Sequence, residues 1–337
     1  INIIMKHNLI HEYNIYKNIY LNIVKPFKHL HKYANKIIFD NTIQYILEER
    51  TLYRYTINKP PFHGYNPIYD DADRNIIEHH FNEKKLYLEK KEMTNTDLYK
   101  NLNNIKNHFI HLINKKQKPK NPYFNVKIHK NSLEFENVIF PLDSRLKYLI
   151  KISNHQYVMT MLFRYSSFGL TGQHCSLPFN VYKYLYDEYN VRGECFASPL
   201  NSKLITLKDT FFCTLFKDTD EIFGSKGPFN YNIIIQNQNV NMFINPPYMT
   251  NIIVWTYHEI MKAFDMITND ELLLIVLIPK REESEGYQLF KNNKYLIHLI
   301  EPDIKKHYMN CNGRLNYMDK VVNSMFFLSK HKHHIKQ

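Results

Sequence analysis

Along residues 10–27, IHEYNIYKNIYLNIVKPF, the apolar positions Ile10, Tyr13, Tyr16, Ile19, Tyr20 and Ile23 recur every three or four residues. That spacing gathers them on one helical face. Pro26 interrupts the run, because proline lacks the N–H that a helix interior needs. The same period returns in NTIQYILEERTLYRY (41–55) and in TDLYKNLNNIKNHFIHLINKK (96–116), the second with Asn95 or Thr96 as N-cap. Between them, residues 58–74 (NKPPFHGYNPIYDDADR) are dense in turn formers and predict a loop. A basic, proline-broken joint, KKQKPKNP (115–122), follows. It divides the chain into a helical domain, 1–118, and a second domain, 119–337.

Beyond the joint the pattern changes. FNVKIHKNSLEFENVIF (124–140) predicts a hairpin turning near Asn131–Ser132, and a helix is expected from about Leu142 to Phe163. Short apolar strands then alternate with amphipathic helices. The helices are PFNVYKYLYDEYN (178–190) and NIIVWTYHEIMKAFD (251–265). The strands are GECFA (193–197), FFCTLF (211–216), NMFI (241–244), ELLLIVLIP (271–279) and SMFFLSK (324–330). Such alternation predicts an α/β, Rossmann-like domain with a mostly parallel, doubly wound sheet.

Composition narrows the setting. With 337 residues and 44% apolar content the chain can bury ordinary cores. The formal charge of +12 makes a polyanionic partner plausible, nucleic acid ahead of a membrane surface. Heavy use of Asn, Lys, Ile and Tyr has the look of an AT-rich coding sequence, so a single Lys or Asn carries little weight. Cys175, Cys195, Cys213 and Cys311 have no paired spacing, which suggests neither a disulfide framework nor a zinc site. No apolar run approaches a membrane span, and no metal site is expected. The histidine-rich tail KHKHHIKQ is read as a basic terminus.

Asn245-Pro246-Pro247-Tyr248 carries the chemistry. It directly follows an apolar strand, and two prolines must end the hydrogen-bonded ladder there. The exocyclic amine of adenine is a poor nucleophile, so an enzyme that alkylates it needs acceptors aimed at its N–H bonds. The Asn245 side-chain oxygen and the Pro246 carbonyl can be those acceptors, and Tyr248 offers a face for an unstacked base. Upstream, GQHCSLP (172–178) and GECFASPLN (193–201) precede this turn in that order. The second stretch occupies the place of a first-strand turn that touches a cofactor, without the usual glycines. Glu194 sits in an otherwise apolar strand and needs a partner, for which a cofactor's ammonium is one candidate. After the next strand, Asp218 and Asp220 stand where a ribose hydroxyl is commonly bound, beside a glycine-containing loop read as flexible.

Taken together, RYSSFGLTGQHCSLP, VRGECFASPLN, DTDEIFGSKGP, NPPY, LIVLIPKRE and VVNSMFFLS resemble the catalytic region of the phosphorylated-CTD-interacting factor 1 family, the cap-specific adenosine N6-methyltransferases. The similarity covers about residues 145–330. It implies a class I, S-adenosyl-L-methionine-dependent enzyme of the nucleus that binds capped mRNA. Such an enzyme methylates the 6-amino group of the cap-adjacent 2′-O-methyladenosine. The resemblance makes Asn245, Pro246, Pro247 and Tyr248 catalytic, with Tyr where animal members have Phe. Gln173, Ser176, Glu194, Phe196, Ala197, Ser198, Pro199, Asn201, Asp218 and Asp220 become cofactor-binding residues. Tyr248, Lys226, Lys280 and Arg281 become substrate contacts, the last two either on cap phosphates or facing solvent. The WW module that ties animal members to the RNA polymerase II tail is not read in this chain, whose one tryptophan, Trp255, falls in a predicted helix. NPPY itself is shared with methyltransferases of DNA adenine and protein glutamine. An inactive RNA-binding adaptor of the same fold is the alternative from another class.

Overall fold

The computed structural model describes residues 71–95, most of 99–110, 126–135, 138–166, 176–214, 216–302, 308–309, 315–316 and 322–331. The helical readings of 10–27 and 41–55, the joint at 115–122, the N-cap Thr96, Gln173 and the tail lie outside them. The chain divides into two compact units, one of 1–142 with 154–170 and one of 143–153 with 171–337.

In the first unit, α1 (Asp71–Lys90) turns Ile77, Phe81 and Leu88 inward at helical spacing. Its first turn, DADR, closes the stretch expected to be a loop; unlike the residues before it, that turn holds neither glycine nor proline. The predicted hairpin is present and larger than expected. Strands β1 (Lys127–His129) and β2 (Ser132–Phe135) pair His129 with Ser132, and β3 (Val138–Pro141) adds to β2 with Glu134 opposite Ile139. The single helix expected over 142–163 is two. Helix α2 (Ser144–Ile152), which belongs to the second unit, has Asp143 as its N-cap, and α3, of the first unit, spans His155–Ser166. Between them Ser153 leaves helical geometry, and the Asn154 side chain accepts from Gln156 N at 2.9 Å and Tyr157 N at 3.1 Å. An internal side-chain cap of this kind ends one helix and starts another.

The second unit is built on a six-stranded sheet. Its strands are β4 (Val191–Cys195), β5 (Phe211–Phe212), β6 (Asn241–Ile244), β7 (Leu274–Pro279), β8 (Leu296–Ile300) and β11 (Asn323–Leu328). A separate pair, β9 (Tyr308–Met309) with β10 (Leu315–Asn316), lies between the last two in sequence. The sheet order is β5-β4-β6-β7-β11-β8. The pairs β4/β5, β4/β6 and β6/β7 are parallel, while β11 is antiparallel to both β7 and β8. The unit is therefore mixed α/β with a mostly parallel, Rossmann-like sheet. Strand β8 was not anticipated; β11 corresponds to the expected strand SMFFLSK, but its reversed direction was not foreseen.

Helices cover both faces. Helix α4 (Phe179–Tyr189) buries Tyr182 and Leu185 with Leu177, Phe243, Ile275, Leu277, Met325 and Phe327. The opposite face carries α5 (Tyr231–Gln236), α6 (Thr250–Met266) and α7 (Glu285–Lys291). There Ile253, Ile260, Ala263, Phe264, Tyr287 and Phe290 pack on Ile244, Val276, Ile278 and Phe326. Neighbouring residues of β6 and β7 thus serve opposite cores, which is why LLLIVLIP is apolar without alternation.

Candidate active site

From β4 the chain runs outward to β5, then returns to β6 on the other side of β4. The strand order reverses there. In an open parallel sheet the crevice beyond the carboxyl ends at such a reversal is where ligands bind. Two of the sequence-predicted segments, 196–201 and 245–248, leave the sheet side by side at this point. Asn245 N donates to Cys195 O at 3.4 Å, which joins the two turns.

The NPPY turn spans the end of β6 and the start of α6. Met249 N donates to Pro247 O at 2.7 Å, and the helix begins at Thr250. Pro246 is buried, while Pro247 and Tyr248 are half-buried. The Asn245 Oδ1 atom is buried and has no hydrogen-bond partner. An orphaned buried acceptor costs about 1–3 kcal/mol. The Ser176 Oγ atom, just before α4, is in the same condition, with the residue only 2% exposed.

The cofactor-turn candidates divide by what they do. Phe196 follows β4 with φ +63°, the left-handed region that a bulky side chain rarely occupies. Ala197 N donates to Cys213 O at 2.8 Å and holds it there. The Phe196 ring lies 5.0 Å from that of Phe229 and 6.4 Å from Trp255, centroid to centroid. Phe196 and Ala197 are half-buried, whereas Ser198 and Pro199 are buried. Asn201 serves the turn itself, since its Oδ1 accepts from Ser198 N at 2.7 Å and Ser198 Oγ at 3.0 Å.

The Glu194 carboxylate finds partners within the fold. Its Oε2 accepts from Ser202 Oγ at 2.7 Å, Lys203 N at 2.8 Å and Leu204 N at 3.1 Å. Burial raises its pKa, opposed by those bonds and one from Tyr182. Arg145 on α2 secures the same loop from outside, donating Nε to Pro199 O at 2.8 Å and Nη2 to Ser202 O. Glu194 thus anchors the loop that follows the 196–201 turn. Nothing in the sequence pointed to Arg145, Ser202 or Tyr182 as its neighbours.

On the β5 side, Asp220 is fully buried on the helical turn Lys217–Asp220, and its Oδ1 accepts from Thr219 Oγ1 at 3.0 Å. Asp218 belongs to that turn, but its side chain is not among the described ones. The glycine loop read as flexible is tied to the sheet edge: Lys226 N donates to Phe212 O at 2.9 Å and Thr214 N to Gly227 O at 3.0 Å. Gly227 needs its φ of +91° to make that return. The Lys226 residue is exposed. Lys280, just after β7, is paired with two carboxylates. Its Nζ lies 2.8 Å from Glu301 and 3.3 Å from Glu282, and these carboxylates raise its pKa. Arg281 is exposed. Cys195 and Cys213 are free and buried, with sulfurs 3.9 Å apart, and burial holds the Cys195 thiol well above its ordinary pKa. No group of three or more His, Cys, Asp or Glu side chains that could hold a metal ion occurs among the described residues. No described helix is long and apolar enough to cross a membrane.

Residues 148–311, which span β4 to β8, match the sequence model of the family described as Phosphorylated CTD interacting factor 1 WW domain. Two curated relatives, from Homo sapiens and Mus musculus, are each named mRNA (2′-O-methyladenosine-N(6)-)-methyltransferase. Each is 41% identical over 68 residues, which is 20% of this chain and 9% of the relative. The matched stretch is thus a small part of those proteins. The family's sequence pattern nevertheless runs through β4 to β8 and the NPPY turn, so the central part of the chain is similar to the phosphorylated CTD interacting factor 1 family.

Proposed function

We propose that this protein is a class I, S-adenosylmethionine-dependent methyltransferase that modifies the 6-amino group of the 2′-O-methyladenosine next to the mRNA cap, in the nucleus. The observation that carries the reading is the buried, unpartnered Oδ1 of Asn245 at the end of β6, beside the strand-order reversal. A costly orphaned acceptor at a ligand-binding edge fits a donor brought by the substrate.

The residues present also fit the cofactor. Phe196 and Ala197 bring half-buried backbone to the crevice in a left-handed turn, and Ser176 Oγ awaits a partner on the α4 side. Those three, with Ser198 and Pro199, would hold S-adenosylmethionine, while Glu194 shapes the turn. When bound, the cofactor supplies an electrophilic methyl group to the amine's nitrogen lone pair. Asn245 Oδ1 and the Pro246 carbonyl take the two amine hydrogens, so charge developing on nitrogen is stabilised where it appears. Tyr248 gives the extruded base a flat surface. The surplus proton leaves the cationic product amine for solvent, so no side chain with a shifted pKa is needed as base. The cap-RNA substrate is supported by the family's flanking strings and by the basic charge of the chain. Lys226 and Arg281 remain as exposed cations for phosphates. Trp255 lies inside α6.

Three oligonucleotides test this with labelled S-adenosylmethionine: a 7-methylguanosine-capped RNA beginning with 2′-O-methyladenosine, its uncapped form, and adenine-containing DNA. Transfer to the capped RNA alone is the expected result. Equal transfer to all three, or to DNA, refutes the substrate. No transfer and no cofactor binding refutes the enzyme and leaves an RNA-binding adaptor.

A further inference from the structure

Besides Asn245 and Ser176, a third polar side chain at this edge is buried without partners. Asn323, the first residue of β11, is 1% exposed, and neither its Oδ1 nor its Nδ2 makes a hydrogen bond. It lies in VVNSMFFLS, one of the strings of the family resemblance, yet none of the roles assigned above uses it.

Sheet register places it. Asn323 pairs with Pro279 at the carboxyl end of β7, while Ile244 of β6 pairs with Val276. Because β11 runs antiparallel to β7, its first residue stands at the edge where the parallel strands end. Side chains alternate along a strand. Met325 and Phe243 pack in the core beneath α4; Asn323, two positions from Met325 on β11, belongs to that face, and Asn245 follows two residues after Phe243, just past the end of β6. Leu177, next to Ser176, packs in that core too. The two asparagines are two strand spacings apart and two residues offset, which puts their Cα atoms roughly 12 Å from each other. Amide side chains reaching toward one another across that distance would leave room for a single planar amino group between them.

We propose that Asn323 is a second substrate-binding amide of the acceptor pocket, gripping the N6/N7 edge of the purine. This rests on the adenine-methylating reading above. Nδ2 donates to N7 and Oδ1 accepts the amine hydrogen on that side, alongside the Pro246 carbonyl. Asn245 takes the hydrogen on the N1 side. Asparagine matches adenine in this bidentate manner because the amide presents one donor and one acceptor in the plane of the base. Binding satisfies both orphaned ends of Asn323 at once, so the free protein stores an unmet polar site that only a base with this edge fills.

Replacing adenosine by 7-deazaadenosine in the acceptor RNA removes N7 and keeps the amine. Wild-type kcat/KM should fall about 10- to 100-fold on the 7-deaza acceptor. Asn323→Ala should fall by a similar factor on the ordinary acceptor, through KM for RNA, with cofactor affinity unchanged. The 7-deaza substitution should then cost the variant nothing further. Asn323→Ser repeats the test with a smaller change in volume. A 7-deaza penalty of equal size in wild type and variants overturns the proposal, and so does a wild type indifferent to N7. If wild type methylates no adenine acceptor, the functional reading itself fails and this inference falls with it. If wild type is active and only the N7 dependence is missing, the inference alone is wrong.

Discussion

Removing the Glu194 carboxylate is the most informative perturbation of the fold around the site. The side chain is 3% exposed, and one of its oxygens takes three donors from the 202–204 segment. In Glu194→Ala those donors, and the Tyr182 hydroxyl, lose their acceptor in a buried place. Each orphan costs about 1–3 kcal/mol and the costs do not add fully, so a loss of about 3–5 kcal/mol is expected. Glu194→Gln keeps one oxygen for the same donors and should cost about 1 kcal/mol. The isostere also changes the pH profile. Burial raises the folded-state pKa of Glu194 above its ordinary value of 4.5, so between the two values the folded chain holds the proton that the unfolded chain has released. This group's contribution to stability is therefore complete below pH 4.5 and is lost as pH rises through the folded pKa. Urea unfolding of wild type and Glu194→Gln from pH 4.5 upward should give curves that converge or cross, the wild type losing stability relative to the variant. Parallel curves would refute the raised pKa. A Glu194→Ala protein within about 1 kcal/mol of wild type would refute the anchoring role.

Asn245→Ala should lower methyl transfer by about 10²–10³-fold, the usual cost of one lost transition-state hydrogen bond, with cofactor affinity retained by calorimetry. Tyr248→Phe should keep most activity and Tyr248→Ala should lose about 1–3 kcal/mol of acceptor binding, because the ring face rather than the hydroxyl holds the base. At position 196 both Gly and Ala remove the ring that packs on Phe229, but only Gly is relaxed at φ +63°, so Phe196→Gly should unfold at higher urea than Phe196→Ala by about 1 kcal/mol. Equal midpoints would show that the backbone is not strained there.

Several features needed only local chemistry, and these were legible in the chain. Proline has no N–H, so NPPY had to end β6 wherever that strand lay. A helical period of apolar residues predicts α4 and α6 without knowledge of their neighbours. The turn at Lys130–Asn131 and the apolar strands β4, β6 and β7 were similarly visible. Other features depended on which distant segments meet. Residues 296–300 became a strand because β11 was there to pair with them, and β11 runs antiparallel to both of its neighbours. The same long-range register decided that Glu194 would meet Ser202 and Tyr182, and that Lys280 would be neutralised by Glu301 from the end of β8. Register also left the Asn245 Oδ1 atom and both ends of the Asn323 amide buried with nothing to bond. Sequence alone determined where the backbone must turn and which residue types stand at those turns, since sterics and the missing proline N–H act within a few residues. Only the tertiary structure decided which polar groups are satisfied and which are held open, because a hydrogen bond depends on partners that chain topology, not chain neighbourhood, brings together.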